Sequence, residues 1–203
     1  KDDVAVLTVD NPPVNPLSDG VRNGLYESLQ KAEDDKSVKG IVLTGNGRAF
    51  IAGADISEFG GNVEGKSLNE VFQKLEFCKK PVVAAINGIA LGGGLETALC
   101  CNYRIIDKNA FLGLPEVNLG LLPGGGGTQR LPRLTGPSEA LKMMLTGSHV
   151  PASKALNMGI VDSMSDNVVA DSIEFIKNVA EKSDNHPKVR DINEKMIEAR
   201  GDD

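Results

Sequence analysis

The chain has 203 residues, 40% hydrophobic and 25% charged, a length that suits one sizeable core, or one domain with a tail. Aromatic residues make up 4% and Trp is absent, so Val, Leu, Ile and Ala must fill the interior. The formal net charge of −6 argues against a nucleic-acid or anionic-membrane surface, and no apolar run approaches the roughly 20 residues that span a bilayer.

In chain order, "VAVLTVD" (4–10) predicts a strand, stopped by the three prolines of "NPPVNPLS". Ser18 is placed to N-cap a helix over 19–35, in which Val21, Leu25, Leu29 and Ala32 recur at helical spacing. "GIVLTG" (40–45) is a second strand, and "NGRAFIAGAD" (46–55) is expected as a loop. A glycine-rich turn (60–65) leads to an amphipathic helix carrying Leu68, Val71, Phe72 and Leu75. "PVVAAING" (81–88) is a strand buried on both faces, and "GGLETALCC" turns helical from about residue 93. "NYRIID" is strand-like, whereas 110–127 is irregular and rich in glycine. Helices follow at 137–147 and 151–159, each closing on a glycine. "IVDSM" is a short strand, and 168–182 is the last amphipathic helix.

Continuous apolar strands alternating with amphipathic helices indicate an α/β fold with parallel strands covered by helices. One domain over 1–183 is expected, with 184–203 a polar tail or linker to a missing region, because "SDNHPKVRDINEKMIEARGDD" has almost no apolar face. The start at Lys1 without Met reads as a processed chain or a piece of a longer one. Cys78, Cys100 and Cys101 make neither a CxxC pair nor an even set, and read as reduced thiols in a reducing compartment. Met143 and Met144 read as core filler, and Glu33, Asp34 and Asp35 as a solvated helix end.

Elimination narrows the chemistry. His149 and His186 lie in no triad or metal pattern, and no GxSxG elbow, Walker sequence or GxGxxG occurs. Ligand count excludes a zinc site. What remains is glycine and carboxylate. "FIAGAD" and "ALGGGLE" place small residues where strands end, the position at which open α/β sheets bind ligands. The second run opens a helix whose first N–H groups are unsatisfied, and two such groups aimed at one point make an oxyanion hole. Glu96 falls in the first turn of that helix, and Glu116 follows in the apolar, glycine-flanked "GLPEVNLG". Each acid has a plain alternative: Glu96 as a first-turn acid balancing the helix dipole, Glu116 as a surface loop acid. Together they suit a pair holding one water, one accepting and one donating a proton.

Three blocks, "NGRAFIAGADISEF", "KPVVAAINGIALGGGLETALCCNYRI" and "FLGLPEVNLGLLPGGGGTQRLPRLTG", resemble the enoyl-CoA hydratase/isomerase (crotonase) family. The match runs in register from about Val4 to the helix near Lys182. Within the family, "NPPVNPLS", "GGGLE" and "GLPEVNLGLLPG" are similar to the hydratase region of peroxisomal bifunctional enzymes, in which it is joined to a 3-hydroxyacyl-CoA dehydrogenase.

The resemblance implies a crotonase-like spiral of ββα units with a helical C-terminal end, rather than a doubly wound sheet. It implies hydration of 2-trans-enoyl-CoA to 3-hydroxyacyl-CoA in fatty acid β-oxidation, with Δ3,Δ2-enoyl-CoA isomerase activity. The alternatives are an isomerase alone or a silent CoA-binding fragment. By motif position, the N–H groups of Ala54 and Gly93 would bind the thioester oxygen, and Glu96 and Glu116 would be the catalytic pair. Ala52, Gly53, Asp55, Ile56 and Ser57 would lie along the CoA moiety, with Arg48 near its phosphates. Ser57 stands where some relatives carry Lys. No metal and no cofactor is expected beyond the coenzyme A of the substrate. The implied partners are an acyl-CoA thioester, two further copies in a trimer, or a fused dehydrogenase region, with no nucleic acid or membrane. The implied compartment is the peroxisome, with mitochondrion or cytoplasm as alternatives. Family members continue through further C-terminal helices, so the short tail reads as a truncation.

Overall fold

The computed structural model describes residues 3–58, 65–183 and 185–201. Nine strands are described: β1 Val4–Val9, β2 Gly40–Gly45, β3 Ala49–Ile51, β4 Val82–Ile86, β5 Ile89–Leu91, β6 Tyr103–Asp107, β7 Phe111–Gly113, β8 Val150–Pro151 and β9 Ser163–Ser165. The described helices are α1 Asp19–Asp34, α2 Leu68–Glu76, α3 Gly93–Cys100, α4 Gly127–Thr135, α5 Pro137–Thr146, α6 Ala152–Asn157, α7 Val168–Lys182 and α8 Glu194–Arg200. The expected glycine-rich turn at 60–65 lies, except for Gly65, outside the described residues.

Two sheets form, ordered β1-β2-β4-β6-β9 and β3-β5-β7-β8. The first is parallel throughout, with Val4 opposite Gly40, Ile41 opposite Val82, Val83 opposite Tyr103 and Ile105 opposite Ser163. In the second, only the β7–β8 pair is antiparallel. Connectivity explains the pairing. Each turn of chain gives one strand to the first sheet, the next to the second, and then a helix: β2, β3, α2; β4, β5, α3; β6, β7, α4. This is the spiral of ββα units that the family resemblance implied.

Strand alternation divides the core. Val42, Val83, Ala85 and Ile105 face Ile176 and Val168 of α7 on one side of the first sheet. Ile41, Leu43, Val82, Ala84 and Ile106 point inward to Phe50, Leu95 and Leu99. Burial on both faces is why these strands carry no polar alternation. Truncating one such Ile or Leu to Ala typically costs about 2–5 kcal/mol.

The second sheet is where sequence reading fell short. β3 lies inside the stretch expected as a loop, because three residues carry no readable period. α4 was not expected either, since Pro132 interrupts it and gives up one i→i−4 bond. "IVDSM" pairs only from Ser163, while Ile160 and Val161 are buried ahead of the strand.

The tail also differs from expectation. Composition predicts a polar tail or a linker over 184–203, yet Val189 is buried and α8 packs on α4. Asn102 Nδ2 donates to the Pro187 carbonyl at 3.0 Å, and Arg133 Nη1 to the Ile192 carbonyl at 2.9 Å. Polar anchors run both ways, from side chains of the main body to tail carbonyls and from Arg190 of the tail to Glu76, and these need no apolar stripe in the tail itself.

Cys100 and Cys101 are buried and all three cysteines are free; burial pushes the Cys101 thiol up to about 12. Met143 is buried in the core. Glu33, expected as solvated, is instead nearly covered: it pairs with Lys74 and accepts from the Lys79 N–H at 2.6 Å.

Candidate active site

Both glycine runs converge on one cavity of about 230 Å³. The backbone of 52–54 is fixed against 14–17: Ala52 N–H donates to Val14 O at 3.1 Å, and Leu17 N–H to Gly53 O at 2.9 Å. Ala54 N–H donates to no backbone carbonyl among the described residues. Gly93 is the first residue of α3, so its N–H lacks an acceptor within the helix. The two segments nearly touch, since a Cβ built on Gly93 would stand 3.4 Å from Ala54 N.

Two of the three glycines are demanded by what surrounds them. Gly92 has φ +51°, and a Cβ there would lie 3.1 Å from Glu116 Oε1. A Cβ on Gly94 would run into the Ile51 carbonyl, so only glycine lets α3 start this close to β3.

One turn into α3, Glu96 is 2% exposed. Its Oε1 accepts from Gly125 N–H and Gly127 N–H, each at 2.8 Å. Burial pushes its carboxyl up, and the N–H groups of Gly127 and Gly125, with the Arg130 charge, pull it back. Burial outweighs them, so the carboxyl stays above its ordinary value, yet one of its oxygens has two donors.

Glu116 opens a 3-10 turn, Glu116–Leu119, that ends at Gly120 with φ +71°. Its Oε2 is buried with no hydrogen-bond partner among the described residues. Burial is the main cause that pushes this carboxyl up to about 7; the Glu96 charge adds to the rise, and its own backbone N–H opposes it. Such a group exchanges its proton near neutrality.

Ala52, Gly53, Ala54, Ile56, Gly93, Glu96 and Glu116 therefore line one space. Asp55, Ser57 and Arg48 do not. Asp55 Oδ1 accepts from Ser57 N–H at 3.0 Å and Ser57 Oγ at 2.6 Å, which holds the Asp55 carboxyl below its usual range. Arg48 stands exposed in the turn between β2 and β3. Among the described residues, no three His, Cys, Asp or Glu side chains gather closely enough to hold a metal ion.

Sequence reasoning missed the residues that hold Glu96. Gly125 and Gly127 belong to a stretch expected only as irregular, although four glycines ahead of "TQRL" were a sign of backbone N–H groups with a task. It also missed Leu119, Leu121 and Leu122, which line the cavity while staying exposed, Leu122 at 78%. Large apolar side chains left in water beside a cavity mark a place for an apolar ligand.

A family model described as Enoyl-CoA hydratase/isomerase matches residues 1–199. The peroxisomal bifunctional enzyme of Danio rerio is 48% identical over 176 residues, covering 86% of this chain and 24% of that protein. A probable enoyl-CoA hydratase of Bacillus subtilis (strain 168) is 45% identical over 186 residues, covering 88% of this chain and 72% of that one. The crystal structure of an enoyl-CoA hydratase from Bacillus anthracis superposes with a TM-score of 0.79 at 33% identity, covering 88% of this chain and 74% of that chain. The chain spans about a quarter of the length of the bifunctional relatives it matches. Two sheets wound as ββα units, two cavity-lining glutamates and this run of relatives give one conclusion: the chain belongs to the enoyl-CoA hydratase/isomerase family.

Proposed function

We propose that the chain hydrates 2-trans-enoyl-CoA to 3-hydroxyacyl-CoA in fatty acid β-oxidation and also shifts 3-enoyl-CoA double bonds to the 2-position. The observation that carries this reading is the pairing, in one cavity, of a Glu116 oxygen with no donor among the described residues and a Glu96 carboxylate held by two amides.

In hydration, the thioester oxygen accepts hydrogen bonds from Ala54 N–H and Gly93 N–H. Glu96, ionised, takes a proton from the water that attacks C3. Glu116, protonated, gives its proton to C2. Electron density from the double bond passes to the thioester oxygen as an enolate before C2 is protonated, so the two amides meet charge that exists only during reaction. One such donor lowers the barrier by about 3–4 kcal/mol. For the isomerase reaction Glu116 works alone, removing a proton from C2 and returning it to C4. Coenzyme A is the substrate's own carrier, and no other cofactor takes part.

The backbone of 52–57 runs beside the CoA moiety, with Arg48 toward its phosphates. Leu119, Leu121 and Leu122 receive the acyl chain. The peroxisome is the compartment this reading favours, supported by the naming of several relatives, with mitochondrion and cytoplasm as alternatives. A homo-trimer, or fusion to a 3-hydroxyacyl-CoA dehydrogenase region, belongs to the same reading.

Crotonyl-CoA hydration followed in the ultraviolet tests it. Turnover in Glu116→Gln equal to that of the starting chain would overturn the assignment.

One observation favours a second reading, an isomerase in which Glu96 only holds the glycine turn: both its amide bonds fall on Oε1, as a structural anchor would require. Glu96→Gln would then leave both isomerisation and substrate affinity intact, and the starting chain would show no hydration.

A further inference from the structure

The segment Gly124–Gly127 is a thin wall. On one side is the cavity of about 230 Å³ that holds both glutamates. On the other is a second cavity of about 410 Å³, lined by the same Gly124 and Gly125 together with Arg130. A four-glycine turn between two cavities has little side chain of its own to hold it, yet two of its N–H groups must reach Glu96 Oε1.

What braces it comes from α2 and α4. Glu76, the last residue of α2, is 3% exposed. Arg130 Nε and Nη2 donate to its two oxygens at 2.8 and 3.0 Å, and Arg190 Nη1 adds a bond at 3.2 Å. The remaining arm of the Arg130 fork, Nη1, donates to the Gly125 carbonyl at 3.0 Å. Gly126, at φ +97°, wraps so tightly over this guanidinium that a Cβ there would collide with Nη1. The Gly126 carbonyl then accepts from Gln129 N–H at 3.0 Å and Arg130 N–H at 2.9 Å, which opens α4. Gly125 is thus held at its carbonyl by a cation and at its N–H by the Glu96 carboxylate.

A buried ion pair is a poor source of stability, because desolvation offsets most of its Coulomb gain. Its use here is geometric. We propose that Arg130, anchored by Glu76, is a positioning residue for Glu96: it fixes the glycine turn so that both amides fall on Oε1 and Oε2 stays available to the cavity. The Arg130 charge also helps hold Glu96 ionised. This inference rests on Glu96 acting as the base in the proposed reaction.

The test is the 203-residue chain and its variant Glu76→Met/Arg130→Met, an apolar pair that avoids leaving one buried charge alone. Two quantities are read: the titration of the Glu96 carboxyl by ¹³C NMR, assigned with Glu96→Gln, and kcat and KM on crotonyl-CoA. The expected result is a Glu96 midpoint higher by about one pH unit or more. With it, kcat falls by about tenfold or more while KM moves by less than about twofold, as for a misplaced acid–base group. A folded double variant with unchanged midpoint and unchanged kcat overturns the inference. Should the double variant not fold, Arg130→Lys decides: it keeps the charge but loses the fork to Gly125 O, so kcat must fall by about threefold or more, and an unchanged kcat overturns the inference. The NMR reading needs no turnover. A starting chain that hydrates nothing, with the midpoint rising in the variant, sinks the hydratase reading and leaves the hold on Glu96 standing. Normal hydration in the starting chain, with neither reading moved in the variant, sinks the hold alone.

Discussion

Glu96 sits in the first turn of α3 with one oxygen locked by two amides, whereas Glu116 opens a 3-10 turn with an oxygen that meets no donor among the described residues. The residue type is the same and the cavity is shared. Burial pushes both carboxyls up, but only Glu96 has N–H groups from a neighbouring loop and a nearby guanidinium to oppose it. Environment, not identity, divides the labour of a carboxylate pair. The fixed acid suits a base that must stay charged, and the loosely held one suits a proton carrier.

The most direct way to break this division is Glu116→Gln. With Glu116 as the proposed proton carrier, its removal should lower both hydration and isomerisation by about a hundredfold or more; comparable rates on the two substrates before and after would erase the distinction. Glu96→Gln sharpens it further. The amide oxygen of Gln can still accept from Gly125 and Gly127, so the turn should hold while hydration falls by about a hundredfold and isomerisation by less than about tenfold. Equal losses on both substrates would mean that the two acids work as one unit.

The glycine turn offers a comparison within itself. A Cβ on Gly125 would run into the Phe72 ring and crowd Glu96 Oε2, whereas one on Gly124 meets nothing within 4 Å. Gly125→Ala should cost about 1–3 kcal/mol of stability, and Gly124→Ala less than about 0.5 kcal/mol, as read by denaturant unfolding. Similar costs at both positions would show that the wall is not held where the hydrogen bonds place it.

A modest effect is expected in pH. Glu116 titrates at about 7 when folded against an ordinary 4.5, so between those values the folded chain binds more protons than the unfolded one. Stability from this group is therefore complete below about pH 4.5 and is lost as pH rises through about 7. Discounted for its partial exposure, the loss is about 1 kcal/mol. Glu116→Gln should accordingly match the starting chain at pH 4 and exceed it by about 1 kcal/mol at pH 8. In the proposed reactions the same titration has opposite signs: hydration, drawing on the protonated acid, should fall through pH 7, and isomerisation, drawing on the carboxylate, should rise through it.

Much of this was legible in the residues. Apolar runs at 4–9, 40–45 and 82–86 marked strands, the last two covered on both faces, and the helices over 19–34 and 168–182 had clear periods. The two glutamates could be singled out because each sits in an apolar, glycine-flanked loop. Which oxygen of Glu96 is occupied, and by what, could not be read: Gly125 and Gly127 reach it across 29 and 31 positions of chain, and backbone donors leave no side-chain signature. β3 and α4 were missed for local reasons, a strand of three residues and a helix containing proline. The tail was misread because its anchors, Asn102 and Arg133, lie in other parts of the sequence.

The packed tail has a practical consequence for anyone dissecting the chain. Ending a recombinant fragment after Lys182, where composition suggests a boundary, would strip Arg190 from Glu76, leave Asn102 Nδ2 without its carbonyl, and uncover the ground on which Val189 sits. The damage would travel inward through α2 and α4 toward the glycines that grip Glu96. A fragment meant to keep that grip has to run through Arg200.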